Sequence, residues 1–324
     1  MLQNLENKIF NISNFEEFEK VALEVYKWQS TNCKVYKEFI SFLKKPEPNC
    51  IADIPFLPIS FFKEFDVLST DLPVQFKFLS SGTTSSIRSK HLVQKPEMYE
   101  CSFLNIYEEF IGSPYDQVIL ALLPNYIEQG NSSLVYMVER LVKESNHPLS
   151  GFFLEDYEAL ISNYQKAIAL GKEVVIFGVS YALLDLAEKK LNLSKARIIE
   201  TGGMKGRRKE LSKEELHHFL KEAFGCEYIS SEYGMTELFS QSYSDRDGLF
   251  KMPAWMKVKI RETNDPFHYI PDGKTGGINV IDLANLYSCS FIATQDLGKI
   301  IDGQLQLMGR FDNADLRGCN LMVE

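Results

Sequence analysis

The sequence predicts an α/β fold: helices and short apolar strands alternating around a largely parallel sheet, followed by a β-rich subdomain. Three observations carry that expectation. Between residues 98 and 224, amphipathic stretches alternate with the apolar runs VILALLP, EVVIFGV and ARIIETGG, which suit buried strands. From about Trp255 onward the helical spacing fades, and β-like runs separated by Gly, Asp and Asn take over. With 324 residues, 45% hydrophobic and 24% charged, the chain can bury one large core or two smaller ones.

Taken in order, residues 16–28 and 36–43 have helix-like apolar spacing, and the Pro-rich passage IADIPFLPISFFKEF reads as extended. After Ser80 the turn-rich run SSGTTSSIRSKH precedes a helix expected over 98–111 and the strand VILALLP. Helices follow over 134–143 and 159–170, then the strand EVVIFGV, a helix over 181–191, the strand ARIIETGG and a helix over 213–224. The last third supplies MKVKIRE, GGINVIDL, SFIATQDLG and GKIIDGQLQLMG as strands. The expected division is a helical and extended region over 1–78, an α/β lobe over 79–254 and the β-rich subdomain over 255–324, packed as one compact unit.

Composition excludes several partners. Lys and Arg total 35 against 44 Asp and Glu, a net charge of −9 that disfavours binding to a nucleic-acid backbone. No apolar run approaches the roughly 20 residues of a membrane span. The N-terminus, MLQNLENKIFNISNFEEFEK, lacks the basic and apolar blocks of a secretion signal, so a cytoplasmic protein is expected. The six cysteines form no CxxC pair and have no His at zinc-finger spacing, so free thiols rather than zinc ligands or disulfides are expected.

Four clusters carry chemistry. In Ser80–Lys90, hydroxyl residues crowd around Gly82, whose freedom lets backbone N–H groups turn toward an anion, while Arg88 and Lys90 add positive charge. The run suits polyphosphate but lacks GxxxxGK[ST], and a Ser/Thr-rich surface turn is the alternative. SSEYGMTE, placed after a strand ending near Ile229, offers Tyr233 as a flat face, Thr236 as a phosphate contact and Glu237 as a hard ligand for magnesium. An ordinary turn and helix start would look the same. TQDLG and GRFDNADLRG read as strand-to-strand turns. There Asp296 could accept from ribose hydroxyls and Arg310 could hold an anionic oxygen, although plain hairpins share this pattern.

The order SSGTT, YGMTE, QDLG and GRFDNADLRG resembles the core motifs of the ANL adenylate-forming superfamily. The closer resemblance is to its LuxE-type acyl-protein synthetase branch, through SSGTTSSIRSKH, LLPNYIEQGNSSLVYMV, TGGMKGR and GRFDNADLRGCNLMV. It covers roughly residues 79–323. It implies an ANL-type large adenylation domain, with the lobe over 79–254 binding nucleotide. The implied activity is ATP- and Mg2+-dependent activation of a carboxylic acid, a fatty acid by class, with transfer to an enzyme cysteine and then to an acyl-reductase partner.

Residue by residue, the resemblance implies that Ser81, Gly82, Thr83 and Thr84 contact the β/γ-phosphates, with Lys90 a further contact. Gly202 and Gly203 border the adenine and Tyr233 stacks on it. Thr236 and Glu237 serve the α-phosphate and magnesium, and Asp296 and Arg310 hold the ribose. Asp312 falls at the superfamily's hinge. Two departures stand out: Ser85 replaces the usual second Gly of the phosphate loop, and the sequence ends about where the superfamily's C-terminal lid begins. A fold lacking that lid is therefore expected, with Lys90 or Lys205 replacing the lid lysine and CoA ligation in doubt.

Cys319, beside Arg317 near the C-terminus, matches the branch's acyl-cysteine position, and the neighbouring cation would favour its thiolate. His217 and His218, adjacent in KEELHHFLKEAF, read as a solvated helix surface. His91 reads as a local hydrogen-bonding group or a substrate contact. Tyr126, Ser132 and Ser133 follow a strand end, where carboxylate-cleft residues are common. Two other readings compete: an acyl-CoA ligase that leaves Cys319 structural, and a non-catalytic nucleotide- or acyl-binding subunit of a reductase complex.

Overall fold

A computed structural model of the chain describes residues 2–80, 87–124, 131–154, 156–202, 211–246 and 248–311. The N-terminal helices are α1 (Leu2–Phe10), α2 (Phe15–Asn32) and α3 (Lys34–Leu43), followed by strand β1 (Leu57–Pro58) and the short α4 (Phe61–Glu64). Strands β2 (Phe76–Leu79) and β3 (Lys90–Val93) bracket the hydroxyl-rich run in sequence. An alternating series follows: α5 (Pro96–Phe110), β4 (Gln117–Leu122), α6 (Ser133–Ser145), β5 (Gly151–Phe152), α7 (Tyr157–Ala169), β6 (Glu173–Val179), α8 (Ser180–Ala187), β7 (Ala196–Thr201) and α9 (Lys213–Phe224). Strands β8 (Ser230–Tyr233), β9 (Ser242–Ser244), β10 (Leu249–Lys251), β11 (Met256–Arg261), β12 (Gly276–Asp282), β13 (Phe291–Ile301) and β14 (Gln304–Arg310) complete the described strands. No helix among the described residues is long and apolar enough to cross a membrane.

Local chemistry accounts for the helix boundaries. Asn14 caps α2 by accepting from Glu17 N at 2.9 Å, and Glu16 and Glu17 set negative charge against the positive end of the dipole. Ser212 and Glu215 form a reciprocal capping box on α9, which ends at Gly225 in the left-handed region, φ 67°. The helix expected over 181–191 stops at Ala187, and Lys190 takes φ 52°, a conformation that cannot continue a right-handed helix.

The chain divides into two compact units. Unit 1 comprises residues 1–76, 91–95 and 252–324, so it is built from both ends of the chain. Its sheet runs β11-β12-β13-β14, all antiparallel, with β1 parallel to the start of β13 through Leu57 and Ile292. Gln29 of α2, fully buried, joins the two ends: its Nε2 donates to Asn285 O at 3.0 Å and Leu286 O at 3.1 Å, and its Oε1 accepts from Ser290 N at 2.9 Å. Tyr36 of α3 stacks on Phe291 at 6.0 Å. Satisfied amide hydrogen bonds and aromatic packing together fix the helices on the sheet.

Unit 2 comprises residues 77–90 and 96–251. Its sheet order is β10-β9-β8-β7-β6-β4-β5, parallel from β8 to β5 and antiparallel at β9 and β10. Every residue of β4, and every residue of β6 except Glu173, is buried, as strands covered on both faces require. The alternation read from sequence is therefore the real framework, and it places the C-terminal ends of β6, β7 and β8 side by side.

Candidate functional site

Strand β7 ends at Thr201, and Gly202 turns away from it with φ 71°, a left-handed backbone that favours glycine. Ser180, the first residue of α8, lies at this turn, its Oγ 3.2 Å from Gly202 O. On the neighbouring strand β8, Ser231 lies opposite Glu200 in register, and Tyr233 is the last residue before the GMTE turn. The strand therefore consists of Ser230–Tyr233 itself, where the sequence suggested a strand finished near Ile229. Tyr233 is buried and meets Phe250 edge-on at 5.9 Å. Thr236 and Glu237 form a turn rather than a helix start, and Glu237 is 5% exposed.

Beneath this strand end lies a buried polar network absent from the sequence reading. Glu200 accepts from Ser180 Oγ at 2.6 Å and Ser231 Oγ at 3.1 Å, with Lys213 Nζ at 3.4 Å and His217 Nε2 at 3.8 Å. Burial pushes its carboxyl upward, but Lys213, His217 and Ser180 together outweigh that and hold it down to about 2. Glu232 is the opposite case. Burial, with the charge of Glu200 adding to it, raises its carboxyl to about 7, although the Thr201 hydroxyl donates to it. The Glu232 charge in turn helps raise the phenols of Tyr99 and Tyr243, whose shifts come first from their own burial.

His217 thus faces inward from α9, 3.0 Å from Ser231 Oγ, while His218 is exposed. The solvated surface expected for this pair holds for His218 alone. Lys213, one turn before His217, points to the same place, so α9 delivers both cationic side chains to the end of the sheet. Lys213 also lies 4.8 Å from the Phe250 ring that supports Tyr233. A signal existed in sequence: a Glu inside the apolar run ARIIET is seldom buried without partners.

In unit 1, Asp296 lies within β13, directly opposite Arg310 of β14. Arg310 Nε donates to Asp296 Oδ1 at 2.7 Å. Asp296 is 5% exposed, whereas the Arg310 side chain is largely open to solvent. The expected turn at TQDLG is therefore a strand interior. The hairpin lies further on, at Asp302 and Gly303, whose positive φ values of 49° and 76° match the right-handed twist of the flanking strands. A bulge between Leu297 and Gly298 separates Asp296 from the regular ladder that follows.

Lys90 is the partly exposed first residue of β3, and Ser80 and Ser89 before it are tied together through Ser80 N to Ser89 O at 2.9 Å. His91 is buried, with its ring 5.8 Å from Phe62. Ser132 caps α6 by accepting from Val135 N. Ser81, Gly82, Thr83, Thr84, Tyr126, Gly203, Lys205, Asp312 and Cys319 lie outside the described residues. Among those described, no group of three or more His, Cys, Asp or Glu could hold a metal ion by itself.

No curated protein matches the chain. Among solved structures, it resembles an open conformation of 2-hydroxyisobutyryl-CoA ligase in complex with 2-HIB-AMP and CoA. The TM-score is 0.65 at 12% identity, covering 93% of this chain and 77% of that one. ATP-bound MatB from Rhodopseudomonas palustris gives a TM-score of 0.55 at 17% identity, covering 75% of this chain and 50% of that one. The chain spans about half the length of the MatB structures it matches. These likenesses show the fold of ANL adenylation domains. Agreement between that fold and the ordered motifs is matched at the level of sequence: the chain belongs to the LuxE acyl-protein synthetase family of enzymes, whose model matches residues 7–324.

Proposed function

We propose that this enzyme joins a carboxylic acid, a fatty acid by class, to AMP at the expense of ATP, and then passes the acyl group to the thiol of Cys319 for a reductase partner. The observation that carries this reading is the register pairing of Asp296 with Arg310, which brings the QDLG and GRFD motifs to facing positions at 2.7 Å. A nearly buried carboxylate held in place by a guanidinium is organised to accept hydrogen bonds from ribose hydroxyls. Gly202 and Tyr233 are assigned to the adenine, and Thr236 to the α-phosphate. Ser81, Gly82, Thr83, Thr84, Gly203 and Lys90 are assigned to the nucleotide through the family's motifs alone.

In the first step a carboxylate oxygen of the acid bonds to the α-phosphorus, and the bond to the β-phosphate oxygen breaks, releasing pyrophosphate. In the second, the Cys319 thiolate bonds to the acyl carbon and AMP leaves, the thiol proton having passed to solvent or a base. Holding the acyl-adenylate beside the thiol makes that step effectively unimolecular. Glu237 is a hard oxygen donor that would hold Mg2+ at the turn after β8. When bound, it would neutralise charge on the departing pyrophosphate.

ATP–pyrophosphate exchange measured over acids from acetate to palmitate tests the reading. Acid-dependent exchange that rises with chain length is expected; no exchange with any acid overturns it. The likeness to a CoA ligase favours a second reading, with CoA as acceptor. Formation of acyl-CoA on adding CoA, with no acylated protein, would establish it.

A further inference from the structure

Arg261, the last residue of β11, is a buried cation 9% exposed, and among the described residues no carboxylate pairs with it. Its guanidinium is satisfied by neutral oxygens: Nη1 donates to Ile278 O at 2.8 Å and Asn279 Oδ1 at 2.7 Å, and Nη2 to Thr294 O at 2.6 Å. Such a group costs stability relative to an apolar side chain of similar volume, so its placement calls for another reason. The surrounding chain accommodates it closely. A Cβ on Gly277 would stand 2.6 Å from Arg261 Cζ, so glycine there lets the guanidinium lie against the backbone at the irregularity between Gly277 and Asn279.

The contacts lead to both members of the nucleoside pair. Ile278 O, held by Arg261, also accepts from Thr294 Oγ1 at 2.9 Å, and Thr294 Oγ1 accepts from Asp296 N at 3.1 Å. On the other side, the guanidinium carbon lies 5.7 Å from the Phe311 ring, the residue after Arg310. Phe311 N closes the structure by donating to Gln295 O at 2.9 Å. One planar cation therefore ties β11, the irregularity in β12, the Thr294–Asp296 segment and the residue after Arg310 into one piece. A lysine, with a single charged nitrogen, could not reproduce this fork of donors.

We infer that Arg261 is a positioning residue that holds Asp296 and Arg310 in the geometry that reads the ribose hydroxyls, and so sets the preference for ribonucleotide over deoxyribonucleotide. This rests on the reading that Asp296 binds the ribose. The test is the ratio of KM for 2′-deoxy-ATP to KM for ATP in pyrophosphate exchange, with thermal melting recorded in parallel. It is applied to the full chain and to R261Q, R261K, T294V and D296N.

The wild type should favour ATP, and D296N should bring the ratio close to one. R261Q and T294V should each lower the ratio at least fivefold with kcat changed less than twofold, and R261K should fall between them and the wild type. T294V removes the hydroxyl that accepts from Asp296 N and donates to Ile278 O while leaving the Arg261 side chain intact, so it reads the same path if R261Q does not fold. A merely structural role predicts lower melting temperatures with the ratio unchanged. If D296N loses the preference while T294V and R261K keep it, the inference about Arg261 is overturned. If D296N keeps the preference, the ribose reading falls and the inference with it.

Discussion

Glu200 and Glu232, on the adjacent parallel strands β7 and β8, are held in opposite protonation tendencies: the first down at about 2, the second up at about 7. Both are buried. Glu200 has Lys213, His217 and two serines around it, whereas Glu232 has the Thr201 hydroxyl and the charge of its neighbour. Unequal supply of donors, acting on two like groups in one low-dielectric region, drives them apart.

A pH dependence of stability follows. Between 4.5 and about 7 the folded protein retains a Glu232 proton that the unfolded chain releases, so stability falls as pH rises through that window and levels off above it. The full effect is at most about 3 kcal/mol. Glu200 acts in a different window, losing its contribution only as pH falls from 4.5 toward 2. Glu232→Gln should match the wild type at pH 5 and exceed it at pH 8 in denaturant midpoint. Equal pH profiles for the two proteins would refute the assignment.

Gly234 sits against the tip of the buried Glu232 side chain. A Cβ there would collide with Glu232 Oε1 and stand 3.3 Å from Gln241 Cγ, so the constraint is steric. Gly234→Ala should cost about 1–3 kcal/mol of stability. In a Glu232→Ala background the same change should cost at least ~1 kcal/mol less, because the clashing atom is gone. Urea titration of the four proteins in this cycle gives the answer; strict additivity would count against the contact.

Asp296 offers a test of the nucleoside assignment. Asp296→Asn keeps the size but removes the charge that strengthens hydrogen bonds from hydroxyls, a loss of about 1.5–3 kcal/mol or roughly 10–100-fold in KM for ATP. The melting temperature should move little, since Arg310 is largely exposed and its pairing contributes little to folding. A KM for ATP within twofold of the wild type would remove Asp296 from the site.

Burial sets Cys33 and Cys289 aside as acyl acceptors. Burial pushes Cys33 up to about 11 and Cys289 well above the usual thiol range, so neither supplies thiolate at neutral pH. Maleimide added to the native protein at pH 7.5 should leave both unlabelled by peptide mapping. Cys319→Ser should still exchange pyrophosphate into ATP yet retain no labelled acid covalently. Normal acylation of that variant would move the acceptor elsewhere.

Much of the framework was legible from residue pattern. Parallel strands buried on both faces read as apolar runs, and β4 and β6 are such runs, while helix-like apolar spacing marked α9. Motif order was enough to name the family. The TQDLG segment was misread as a turn because Asp and Gly are turn residues in general. Inside β13, the cross-strand Arg310 and the bulge at Gly298 accommodate them.

What the sequence by itself determined was the succession of elements and the residue types available for chemistry, because periodicity and motif spacing are local properties. Tertiary structure alone decided that His217 faces inward beside Glu200, that Glu232 is driven toward its neutral form, and that Arg261 stands behind Asp296. Each depends on which strands become neighbours and how far water is excluded between them. Burial and pairing between residues distant in the chain are set by packing, and no window of sequence contains them.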